Sequence, residues 1–132
     1  MIRSLGAFAA LLTIAMLGST SAQSQGSESQ KFPDVVSVKV QARAGNHFDF
    51  DVTISSPYDT PQRYADGFRV MTTGGQIYGE RKLLHDHADE QPLTRDLYGV
   101  SIPERVRAVV VQARDQKFGY GGKSMQVVLP GR

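Results

Sequence analysis

Hydrophobic and polar residues alternate with a period of two through much of the chain. Val36, Val38, Val40 and Ala42 interleave with Ser37, Lys39, Gln41 and Arg43, the pattern of a strand with one buried face. Ala44, Gly45 and Asn46 form a turn signal. Phe48, Phe50, Val52 and Ile54 then alternate with Asp49, Asp51, Thr53 and Ser55, so the spacing predicts a hairpin. Aspartate disfavours strands, which puts Asp49 and Asp51 on its wet face.

Two prolines and an aspartate break the pattern between Ser56 and Pro61. A third strand is predicted with Phe68, Val70 and Thr72 on one face, ending at Gly74 and Gly75, a pair suited to a tight hairpin. The fourth strand is then residues 76–84. A short fifth is predicted over residues 93–100, and the apolar run 106–113 reads as a central strand. Residues 119–122 make the last turn, and residues 125–129 close the domain before Pro130.

About seven short strands with turns every 8–12 residues, and no convincing helix, predict an all-β antiparallel sandwich. The final third is similar in rhythm to the end of immunoglobulin-like and fibronectin type III domains. A small closed barrel is the structural rival.

The N-terminus changes the picture. Arg3 precedes an apolar run over residues 5–17, and Thr20 and Ala22 occupy the −3 and −1 positions of a cleavage site. The run is short for a membrane span, which needs roughly 20 residues. Residues 1–22 therefore read as a signal peptide, residues 23–33 as a flexible polar leader, and residues 34–132 as one β-sandwich domain. An uncleaved anchor is the bland alternative.

The sequence holds no cysteine, which excludes disulfides, thiolate catalysis, thiolate metal ligands and a lipid-modified cysteine within it. Charge is nearly balanced, 15 basic against 13 acidic residues, and interspersed. That argues against a nucleic-acid or membrane-surface stripe.

Candidate chemistry gathers in residues 83–95, where His85, His87, three carboxylates and Arg95 lie together. Residues two apart on a strand share a face, so His85 and His87 are placed to offer two imidazoles to copper or zinc. Glu90 or Asp89 would add an oxygen ligand, and water or Asp66 a fourth. The bland alternative is a solvated strand end. Met71 and Met125 stand alone and read as core fillers.

A second reading makes the same stretch a structural latch. Pro92 forces Gln91 towards extended backbone, and Arg95 would grip Glu90, or Asp66 from a neighbouring strand, through a bidentate bond. Tyr64 would plug the end of the sandwich beside Asp66, or join a small polar pocket with the His85 segment. Arg95 would strand a partner charge if removed. Phe118 and Tyr120 at the last turn could stack on a sugar or a partner, or cover a sheet edge. Catalysis finds little support: there is no GxSxG elbow or phosphate loop, and the adjacent Asp89 and Glu90 face opposite ways.

Asp59-Thr60 with Tyr64-Ala65-Asp66-x-Phe68, followed by His85-x-His87-x-x-Glu90-Gln91-Pro92-Leu93-Thr94-Arg95 and Gly99-Val100-x-Ile102-Pro103, resembles the motif pair of an uncharacterised family of exported bacterial β-sandwich proteins. The likeness extends over roughly residues 36–130. Asp86 stands where that family has proline, Leu93 where it has phenylalanine, and Pro57 and Gln62 where histidine and tryptophan are expected. The resemblance implies a fold and a compartment rather than a reaction. The functional expectation is a periplasmic or secreted, non-catalytic binding or accessory module, monomeric, without cofactor, whose partner is a protein or small ligand. The alternative is a copper or zinc binder using His85, His87 and Glu90.

Overall fold

The computed structural model describes residues 30–132. The signal-peptide reading and most of the leader lie outside the described residues. Among the described residues, eight strands form two antiparallel sheets. Strands β1 (Asp34–Arg43), β2 (His47–Ser55) and β5 (Leu93–Ser101) make the first, in the order β1-β2-β5. The second runs β4 (Ile77–Lys82), β3 (Ala65–Met71), β6 (Ala108–Asp115), with the short β7 (Gly119–Tyr120) and β8 (Met125–Val128) both pairing with β6. Strands one, two and five facing four, three, six and the last is a sandwich of the immunoglobulin and fibronectin kind.

The alternation in β2 explains the core. Phe48, Phe50, Val52 and Ile54 are buried and meet Phe68 and Val70 of β3, Val109, Val111 and Ala113 of β6, and Leu93 and Val100 of β5. Each large side chain taken from water contributes about 1.5–3 kcal/mol. Asp49 and Asp51 lie on the opposite face, where Asp49 accepts the Arg43 guanidinium at 2.7 Å and Asp51 accepts the Tyr98 hydroxyl at 3.0 Å.

Three expectations needed correction. Val36 is 46% exposed and Val35 takes the core position, because the β1–β2 register shifts between Val35 and Ser37. The extra residue shifts the alternation at the start of β1, while Val38 and Val40 beyond it keep the core side. Thr72 lies beyond β3, its hydroxyl accepting the Gln76 amide in the turn. Residues 30–33, read as leader, are held to the domain: Arg63 donates to the carbonyls of Gln30 and Lys31, Phe32 meets Phe118 edge-on, and Pro33 is buried.

Strands β4 and β5 are the free edges on one side of the sandwich. Their inward positions do not follow the apolar rule. Arg81 pairs with Phe68 in register and Arg95 with Val52, so both guanidiniums occupy the seam between the sheets. Arg81 donates to the carbonyl and the carboxylate of Asp96 across that seam. Inward charges at an edge discourage further strand pairing, and here they also line a recess.

Candidate functional site

Three connections cluster at one end of the sandwich: the loop after β2, the loop before β5 and the β6–β7 turn. Asp59 joins the first two. Its carboxylate, 4% exposed, accepts the amide of Ala65 at 3.0 Å and that of His87 at 3.0 Å. Gln91 adds a second fastening. Its side-chain oxygen accepts the Ser56 amide at 2.7 Å, and its nitrogen donates to the Ser56 hydroxyl and the His87 carbonyl. The Gln91–Pro92 peptide is cis. Buried backbone groups in these loops thus find side-chain partners.

The third connection is anchored by Asp115, fully buried at the end of β6. It accepts the Tyr58 hydroxyl at 2.6 Å, the amides of Lys117 and Phe118, and the Arg63 guanidinium. Burial works against its charge, but these bonds outweigh burial and hold the carboxyl below the usual carboxylate range. Burial and the bond to Asp115 push the Tyr58 phenol far up. Arg63 lies 4.1 Å from the Tyr58 ring centre and 4.9 Å from that of Phe118, so Phe118 is occupied in holding the fold together.

The residues singled out from sequence divide into two groups. Arg95 meets both oxygens of Glu90, at 3.0 and 2.8 Å. That bond holds Glu90 below, and Arg95 above, its ordinary value. Glu90 is half exposed, at 51%. Asp66 instead pairs with Arg114, raising the Arg114 guanidinium through that bond. Tyr64 reaches the Leu84 carbonyl at 3.4 Å. The four proposed latch residues therefore form separate contacts rather than one network.

His85 and His87 are brought together, their ring centres 4.7 Å apart and tilted by 33°. His85 is exposed, with Nδ1 2.8 Å from the Asp86 carbonyl. His87 is nearly buried and its Nδ1 has no hydrogen-bond partner. Burial, then Arg95 and His85, lower its basicity. Glu90 does not complete a ligand set, since Arg95 holds its carboxylate. Among the described residues no three histidine or carboxylate side chains converge on a point where they could hold a metal.

Two hollows flank residues 81–84. The larger, about 450 Å³, opens on the second sheet and is lined by Tyr64, Asp66, Glu80, Lys82, Arg114 and Tyr120 among others. The smaller, about 210 Å³, has Arg81, Lys82, His85, His87 and Arg95 in its wall. Both include Leu84, 82% exposed. In the larger, Asp66 offers Oδ1 as a buried acceptor without a partner. Tyr120 stands beside it, one ring face covered by Arg69 at 3.7 Å. Arg69 is itself held by Gln112. Burial, then Glu80, push the Tyr120 phenol up, so it stays protonated and able to donate.

Arg114, Lys82 and Arg81 were not singled out from sequence. Arg114 sits at an outward position of β6 and reads as ordinary solvated surface; only the pairing of β6 with β3 sets it beside Asp66. Asp59 was visible within the Asp59-Thr60 motif, but its role depends on two backbone amides, those of Ala65 and the distant His87.

No protein-family model and no solved structure matches the chain. A curated protein from Halomicrobium mukohataei, named "Putative lipoprotein", is 39% identical over 94 residues. The match covers 71% of this chain and 46% of that protein, so the chain spans about half the length of the curated relative it matches.

Proposed function

We propose that the protein is an exported, non-catalytic binding module whose ligand seat is the hollow between Tyr64, Asp66, Arg114 and Tyr120. The observation that carries this reading is the unpartnered, buried Oδ1 of Asp66 in the wall of an open cleft. A buried acceptor left unmatched costs roughly 1–3 kcal/mol. A ligand hydroxyl reaching this oxygen would supply the missing donor. Arg114 and Tyr120 supply donors beside this acceptor, and Leu84 an apolar rim, which suits a saccharide.

The state of the carboxylates supports a role without catalysis. Asp59 is bound to two amides, Asp115 to four groups, Glu90 to Arg95 and Asp66 to Arg114. Each of these four is engaged by donors rather than left free as a general acid or base. The signal-like residues 1–22 and the name of the relative support export to the periplasm or outside the cell. An oligosaccharide array probed with the protein tests the reading. Binding that is lost in Asp66→Asn and Arg114→Ala variants supports it, and a blank array rejects it.

The adjacency of the two imidazole rings favours a second reading, copper or zinc binding at His85 and His87. Against it, Arg81, Lys82 and Arg95 share the wall of that recess and would repel a divalent cation. Calorimetric titration with each metal, using a His85→Ala/His87→Ala control, decides between them. Heat that disappears in the double variant establishes the metal site.

A further inference from the structure

We infer that the ligand is an acidic saccharide, with ring hydroxyls at Asp66 and Arg114 and a carboxylate in the recess between β4 and β5. The inference rests on the cleft reading above and extends it across residues 81–84, the wall common to both hollows.

The recess is lined by three cationic and two imidazole side chains with Leu83 and Leu84, and no carboxylate residue is in its lining. The nearby countercharges are accounted for. Asp96 takes Nη1 of Arg81, and Glu90 takes Nη1 and one hydrogen of Nη2 of Arg95. An arginine carries five N–H donors. Nε and Nη2 of Arg81, and Nε with the second Nη2 hydrogen of Arg95, have no partner among the described residues. Lys82 forms no ion pair among those residues and lines both hollows. Edge protection explains the inward placement of Arg81 and Arg95. It also accounts for a lysine on the exposed face of β4, but not for the unmatched acceptor that Asp66 keeps on the other side of the same wall. An anion with adjoining hydroxyls satisfies all of these groups together, and guanidinium donors match the geometry of a carboxylate.

Titration of the 15N-labelled protein with tetragalacturonate, its tetramethyl ester and tetraglutamate tests this directly. The ester keeps every hydroxyl and removes the charge; the peptide keeps the charge and removes the sugar ring. The expected result is that the acid binds about tenfold or more tighter than the ester. Its shifts should map to amides around residues 64–66, 80–87 and 114, and its advantage should shrink with added salt. Lys82→Ala, a change at an exposed position, should reduce the acid to the affinity of the ester. Equal binding of acid and ester overturns the anionic seat while leaving the cleft reading intact. Tetraglutamate binding as well as the acid overturns the saccharide in favour of an acidic peptide. If neither saccharide binds, this inference falls, and the oligosaccharide array decides the cleft reading separately.

Discussion

The carboxylate of Asp59 accepts the backbone amide of His87 at 3.0 Å, and this bond fixes the loop before β5 to the loop after β2. The same carboxylate holds the amide of Ala65, where β3 begins. One buried side chain thus sets the starting position of Tyr64 and Asp66 and the path of the histidine segment. Replacing it with alanine removes two charge-assisted bonds and leaves two amides in the interior. Asp59→Ala should cost about 2–4 kcal/mol, lowering the melting temperature by at least about 8 °C. A variant that melts with the wild type would show that the loops hold themselves.

Arg95 gives a contrast. The sequence invites the view that its removal strands a charged partner. Glu90 is 51% exposed, so water solvates it when the guanidinium is gone. Arg95→Ala should shift the melting temperature by no more than about 3 °C. A drop as large as that of Asp59→Ala would make the Arg95–Glu90 pair the principal fastening.

These two residues show what can be read from the chain and what cannot. Periodicity places Phe48, Phe50, Val52 and Ile54 in the core because a strand needs only its own sequence to decide which face is apolar. The Glu90–Arg95 bond is visible because the partners lie five residues apart. Asp59 and Gln91 act on backbone amides, which leave no mark in the sequence. Arg114 and Asp66 meet only through the β3–β6 register, and Arg81 and Arg95 point inwards where the alternation alone predicts apolar residues. Val36 was misplaced by one extra residue in β1.

Gly67 lies in the wall of the larger hollow. A β-carbon there would overlap the carbonyl oxygen of Arg81 on the neighbouring strand, so β3 and β4 approach closely only because the side chain is missing. Gly67→Ala should push the strands apart and cost about 1–3 kcal/mol, with faster amide exchange along β4. Protection of the β4 amides equal to that of the wild type would show that the strands absorb the methyl group without separating.

Asp115 makes the fold sensitive to acid. Its bonds from Tyr58, the two turn amides and Arg63 keep its carboxyl below the usual value in the folded state, so the unfolded chain takes up a proton first as pH falls. The stability it supplies is therefore complete above the unfolded value near pH 3.9 and is lost as pH drops through the lower folded value. Asp49, held low by the Gly99 amide and Arg43, and Glu90, held low by Arg95, act in the same direction at the surface, where salt weakens them. Urea unfolding of wild type and Asp115→Asn across pH 2–7 separates the contributions. The difference between the two proteins should be constant above about pH 5 and should narrow below about pH 4. A difference that stays constant down to pH 2 would mean that Asp115 takes up its proton at the same pH in the folded and unfolded chains, and one that widens as pH falls from 7 towards 4 would mean that Tyr58 and Arg63 hold a neutral acid.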